Sequence, residues 1–149
     1  MKNFHDALQA IARSAGLPSL DLNADGFAEL VVGDGALSIF LFRPEESQLE
    51  LSTRISALDG PVSDGLAQVL LAENASRTLG RFAIDDGSGV VFGHRVELAT
   101  ATPASLLAEL NAFTKDAAHL EQSGAIALSE RAEQHRPSQG LPESEMIRL

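Results

Sequence analysis

The sequence predicts an α+β fold in the order helix, strand, strand, strand, helix, strand, strand, helix, with an antiparallel twisted sheet and helices packed on it. Three observations predict it. Leu49, Leu51, Thr53 and Ile55 alternate with Glu50, Ser52 and Arg54, the period of a strand with one buried face. Gly33-Asp34-Gly35 and Asp85-Asp86-Gly87-Ser88-Gly89 fall between apolar runs and supply the residues that hairpin turns demand. Three further stretches carry apolar residues at helical spacing. With 149 residues the chain is long enough for one domain with a sizeable core.

The elements follow in order. Phe4, Leu8, Ile11, Ala12 and Ala15 share one helical face, and Gly16 with Pro18 stops that helix. Residues 17–26 read as a loop rich in Asp, Asn and Gly. Phe27 to Val32 is a short strand, Gly33-Asp34-Gly35 its turn, and Leu37 to Phe42 the second strand. Arg43-Pro44-Glu45-Glu46-Ser47 turns the chain into the third strand, completing a meander. A second helix is expected between Pro61 and about Thr78, with Pro61 in its first turn and Asp64 at the positive end of its dipole. Phe82 and Ile84, then Val90, Phe92, His94, Val96 and Leu98, mark a second hairpin. Thr102-Pro103 opens the last helix as an N-cap and first helical residue, and Leu106, Leu107, Leu110, Phe113, Ala117 and Leu120 form its stripe.

After Gln122 the composition changes. All seven Phe lie at or before residue 113, and residues 123–149 are dense in Ser, Glu, Gln, Gly and Pro. The expected division is a folded domain over residues 1–122 and a polar, mobile tail over 123–149, with a helical turn around Ile126–Glu133.

Charge excludes several functions. Eleven Lys and Arg against 21 Asp and Glu leave −10, which disfavours nucleic acid and anionic membranes. The absence of cysteine removes disulfides, thiolate catalysis and cysteine-ligated metals. No apolar stretch approaches the ~20 residues of a membrane span. The N-terminus, with Asp6 and no apolar run behind it, does not read as a signal peptide, so a cytoplasmic protein is expected.

The chemical motifs are weak. Asp21-Leu22-Asn23-Ala24-Asp25-Gly26 matches the first half of a calcium loop, but Val32 stands where the bidentate Glu belongs, and a strand replaces the outgoing helix. The other reading of Asp21, Asn23 and Asp25 is a turn before a strand. Gly87-Ser88-Gly89 lies in a hairpin and offers no helix N-terminus to a phosphate. Asp85 and Asp86 are neighbours on a strand end, so their side chains diverge. His94 sits on the apolar face of a strand, as a satisfied core or interface group or as part of a scattered catalytic site. No G-x-S-x-G elbow or HExxH motif is present.

What remains is apolar surface. Leu37, Ile39 and Leu41 point one way along the second strand, and Phe40 and Phe42 the other. If helices cover only one face, the two Phe form a protein-binding patch; otherwise another helix or a second copy covers them. Leu66, Val69, Leu70 and Leu71 form a face broad enough for burial between two bodies or wholly within one chain.

The element order, the acidic cysteine-free composition and three local features together resemble the class I type III secretion chaperones, the Tir-chaperone (CesT) family, over roughly residues 1–122. The features are the Asp-rich loop ending in Gly26, the segment Leu66-x-x-Val69-Leu70-Leu71-Ala72-x-Asn74, and Gly80-Arg81-Phe82-Ala83-Ile84-Asp85. The long polar tail and the absence of Trp near the end of the last helix depart from the family's usual look. The resemblance implies a homodimer in the bacterial cytoplasm, with no enzymatic activity and no cofactor or metal. It implies binding of the N-terminal segment of a secreted effector, kept soluble and partly extended, and delivery to an export apparatus with its ATPase. On that basis the dimer face is assigned to Leu66, Val69 and Leu70, and effector grooves to Phe4, Leu8, Ile11, Phe40 and Phe42. The alternative is a calcium-binding or other non-catalytic interaction module using the Asp21-Asn23-Asp25 loop.

Overall fold

The computed structural model describes residues 1, 3–33, 35, 37–86 and 89–141, with side chains as far as residue 134. Its helices and strands are α1 (Phe4–Ser14), β1 (Ala28–Val32), β2 (Leu37–Phe42), β3 (Gln48–Arg54), α2 (Asp64–Ser76), β4 (Arg81–Ile84), β5 (Val90–Glu97), α3 (Pro103–His119) and α4 (Ala125–Leu141). The five strands form one sheet in the order β1-β2-β3-β5-β4, with every neighbouring pair antiparallel. This is the predicted fold class, with a fourth helix added.

Local chemistry sets the helix ends. The Asn3 side chain caps α1 by accepting from the Asp6 N–H at 2.9 Å. At the other end Gly16 takes φ +73°, which lets its own N–H reach the Arg13 carbonyl and the Leu17 N–H reach that of Ala12. Thr102 and Ser105 cap α3 reciprocally, at 3.0 and 2.9 Å, with Pro103 at its first position as predicted. The start of α2 differs from the expectation. Pro61 lies before the helix, and Ser63 caps it by accepting from the Leu66 N–H at 3.1 Å. A serine hydroxyl satisfies an orphan N–H of the first turn, which proline cannot do.

The core lies between the sheet and the helices. Ile39, Leu41, Leu49, Leu51, Phe92 and Val90 point inward from the strands and are fully buried. Phe92 stacks on Phe113 of α3, with ring centroids 5.1 Å apart, and meets Phe82 at 5.2 Å. Arg77, just past α2, lies over both the Phe82 and Phe92 rings and pairs with Glu73 and Asp116.

The chain does not leave the fold at residue 122. After a wide turn over Leu120–Gly124 it continues as α4, which lies along α2. Ala125, Leu128 and Ala132 are buried, Arg131 pairs with Glu73 at 3.0 Å, and Glu121 accepts from the Ser56 backbone and hydroxyl. Two of the three buried side chains are methyl groups, which allow close helix approach with little apolar mass. That is why composition pointed to a tail. Residues 142–149 of that expected tail lie outside the described residues. Among the described residues no helix is long and apolar enough to cross a membrane.

Candidate functional site

The helices pack on one side of the sheet, and strand alternation therefore divides each strand between core and open face. On β2, Leu37, Ile39 and Leu41 are buried, while Ser38, Phe40 and Phe42 are only half-buried. Register carries the open face across the sheet: Glu29 opposes Phe40, Phe40 opposes Ser52, and Phe42 opposes Glu50. Phe27, just before β1, joins the two outward rings. Its centroid is 5.7 Å from that of Phe40 and 4.9 Å from that of Phe42. Val31, which is 54% exposed, extends this apolar end along β1.

The other end of the open face is polar. Arg95 pairs with Glu50 and Arg54 with Asp85, both at 2.8 Å. The hydrogen bond it donates to Glu50, and then the Glu50 charge, hold the Arg95 guanidinium above its ordinary pKa. One face thus offers an aromatic platform at β1 and β2 and a charged border at β3 to β5.

A second apolar site lies beside α1. Phe4 and Leu8 line a cleft of about 690 Å³ between that helix and the loop at residues 17–22, with Arg13 and Arg43 on its walls. Leu17 and Leu22, at its rim, are exposed. Ile11 is buried and does not line the cleft. The five predicted groove residues therefore divide. Phe40 and Phe42 meet on the open face, Phe4 and Leu8 are core residues, 4% and 5% exposed, that also floor the cleft, and Ile11 is core alone.

On α2 the predicted dimer residues Leu66, Val69 and Leu70 are all buried within the single chain. Leu71, 68% exposed, is the large apolar residue this helix turns outward. Glycine and alanine neighbours in the sequence give no hint of that division, because three consecutive apolar residues necessarily cover more than one helical stripe.

Residues 6–121 match the Tir chaperone protein (CesT) family. The chain belongs to this family. No curated protein sequence matches it. The fold is shared with solved structures of low identity. The ExsC–ExsE complex matches with a TM-score of 0.63 at 22% identity, covering 80% of this chain and 91% of that chain. The HopA1–SchA chaperone–effector complex matches with 0.63 at 15%, covering 80% and 94%. The Yersinia pestis type III secretion chaperone SycH, in complex with a stable fragment of YscM2, matches with 0.59 at 19%, covering 78% and 98%.

The residues that resembled CesT-family motifs have physical roles in this chain. Asn74 clamps the end of α2 to β4: its amide donates to the Phe82 carbonyl at 3.0 Å and accepts from the Phe82 N–H at 2.7 Å. Those groups lie on the sheet's edge, which Asn74 thereby closes locally. Gly80 takes φ +82° and lies so close to the Phe92 ring that a Cβ would overlap it. Asp85 holds Arg54 across the hairpin end.

Of the remaining candidates, Gly87 and Ser88 lie outside the described residues, and Asn23 and His94 have structural partners. Asn23 Oδ1 accepts from the N–H groups of Asp25 and Phe27, so it closes the turn that leads into β1. Among the described residues no three His, Asp or Glu side chains converge as a metal site. His94 Nδ1 accepts from the Gly80 N–H at 3.4 Å, which places the proton on Nε2, 2.8 Å from Glu109. This is a satisfied, half-buried histidine joining β5 to α3. In the sequence Phe27 reads only as the start of the first strand; its place beside Phe40 and Phe42 follows from the pairing of β1 with β2.

Proposed function

We propose that this CesT-family chain is a non-catalytic chaperone of type III secretion that acts in the bacterial cytoplasm. It holds a segment near the N-terminus of a secreted effector, partly extended and soluble, and presents it to the export apparatus and its ATPase. The observation that carries this reading is the apolar end of the open sheet face, where Phe27, Phe40 and Phe42 cluster beside exposed Val31 on a chain of net charge −10. Large exposed apolar patches mark protein-binding sites, and a strong net charge opposes self-association of the particle that carries them. Complexes of the same fold, HopA1–SchA among them, support the reading by their composition.

In this reading Phe40 and Phe42, with Phe27, contact the effector. Phe4 and Leu8 floor a second contact, and Ile11 supports them from the core. The chain acts as a homodimer through α2: Leu71 makes the contact, and Leu66, Val69 and Leu70 hold the helix from behind. Affinity capture from the source bacterium with mass spectrometry tests the partner, and light scattering tests the dimer. One secreted protein bound through its N-terminal region, on a particle of twice the chain mass, is expected. A monomer at micromolar concentration that captures no secreted protein would contradict the proposal.

A further inference from the structure

The cleft beside α1 has a charge unlike that of the chain that contains it. Arg13 and Arg43 both stand on its walls, above the floor of Phe4 and Leu8. Among the described residues Arg13 has no carboxylate partner. Arg43 reaches Glu46 only at 3.9 Å, with both side chains more than half exposed. One acid, Asp21, also lines the cleft, and its Oδ1 accepts from the Ser19 hydroxyl at 3.2 Å. Two cations thus face one acid, on a chain of net charge −10. Elsewhere Arg54, Arg77, Arg95 and Arg131 each meet a carboxylate of the chain itself, and Arg81 donates to the Arg77 and Gly80 backbone carbonyls.

Guanidinium groups left open on an apolar cleft select for carboxylates, because their planar fork matches carboxylate geometry. Distance refines the match. The Arg43 guanidinium carbon is 6.0 Å from the centre of the Phe4 ring. In an extended peptide, side chains two residues apart emerge on the same side about 6.6 Å apart. An apolar side chain seated over the floor of Phe4 and Leu8, against the exposed Leu17 and Leu22, therefore leaves a carboxylate two residues away within the span of the cleft that Arg43 and Arg13 line.

We propose that the α1 cleft takes an extended segment of the secreted partner in which an apolar side chain lies two residues from an Asp or Glu. This rests on the chaperone reading above and adds a chemical class of ligand to it. Arg13 and Arg43 select the carboxylate, and Phe4 and Leu8 accept the apolar anchor.

The test pans a phage library of random 12-residue peptides on the full chain, then measures the best clone as a labelled synthetic peptide by fluorescence anisotropy. Enriched clones should carry Leu, Ile, Met or Phe two residues from Asp or Glu. Changing that acid to Gln in the peptide, or making Arg13→Gln with Arg43→Gln in the protein, should raise Kd about tenfold, the factor for roughly 1.4 kcal/mol. A peptide with Lys at the acid position should bind the Arg13→Glu, Arg43→Glu variant better than it binds the parent chain. Enrichment of apolar peptides without acids, or a Kd indifferent to both arginines, would overturn the proposal. Removing residues 142–149 should leave Kd unchanged; tighter binding would mean that the chain's own C-terminus occupies the cleft. Capture from cells separates the two proposals. A double variant that retains the parent's partner undiminished defeats the cleft's selectivity alone, whereas a parent chain that captures no partner defeats the chaperone reading.

Discussion

The two faces of the sheet come from the same strands and have opposite fates. On β2, residues one apart in sequence differ completely: Ile39 and Leu41 are sealed under the helices, whereas Phe40 and Phe42 meet solvent. Both rows are apolar, so the hydrophobic effect alone does not decide which one is core. The helices decide it, since they cover a single side. The inner row has packing partners on all sides and supports the fold. The outer rings of Phe27, Phe40 and Phe42 meet one another and stay half-buried, which leaves part of their apolar area open. A half-buried aromatic row beside a complete core is the place where the proposed partner contact falls.

This contrast can be broken at known places. Phe92→Ala removes the ring that joins Phe82, Phe113 and Arg77, and should cost about 4 kcal/mol in urea unfolding at fixed protein concentration. Gly80→Ala pushes a methyl group into the same ring from a backbone at positive φ, and should cost about 3 kcal/mol. Leu128→Ala tests whether α4 belongs to the core. A loss of about 2 kcal/mol is expected, and no loss would return residues 125–132 to a tail. The pair Phe40→Ser and Phe42→Ser sharpens the contrast from the other side. These rings interact mainly with each other and Phe27, so the double variant should lose only about 1 kcal/mol.

Much of this was legible in the sequence, for identifiable reasons. Alternation located β3, turn glycines located the first hairpin, and Thr102-Pro103 located the start of α3. The same alternation separated Leu37, Ile39 and Leu41 from Phe40 and Phe42. Four things were not legible. Ser63 and Pro61 both suit a helix start, and only the hydrogen bond to Leu66 distinguishes them. Leu66, Val69, Leu70 and Leu71 are equally apolar, and which of them faces out depends on the rotation of α2 against α4 and β4. The buried stripe of α4 is Ala125, Leu128 and Ala132, too little apolar mass to stand out among Ser, Glu and Gln. Phe4 and Leu8 were named for a groove, but its far wall was not legible, because it forms only when the loop at residues 17–22 folds back along the helix.

The proposed role of the open face is to bind a partner while contributing little to stability. The most direct measurement compares the parent chain with the Phe40→Ser, Phe42→Ser double variant, reading unfolding free energy and partner capture on the same preparations. Stability within about 1 kcal/mol of the parent and capture reduced at least tenfold are expected. Undiminished capture by a well-folded double variant would contradict that role.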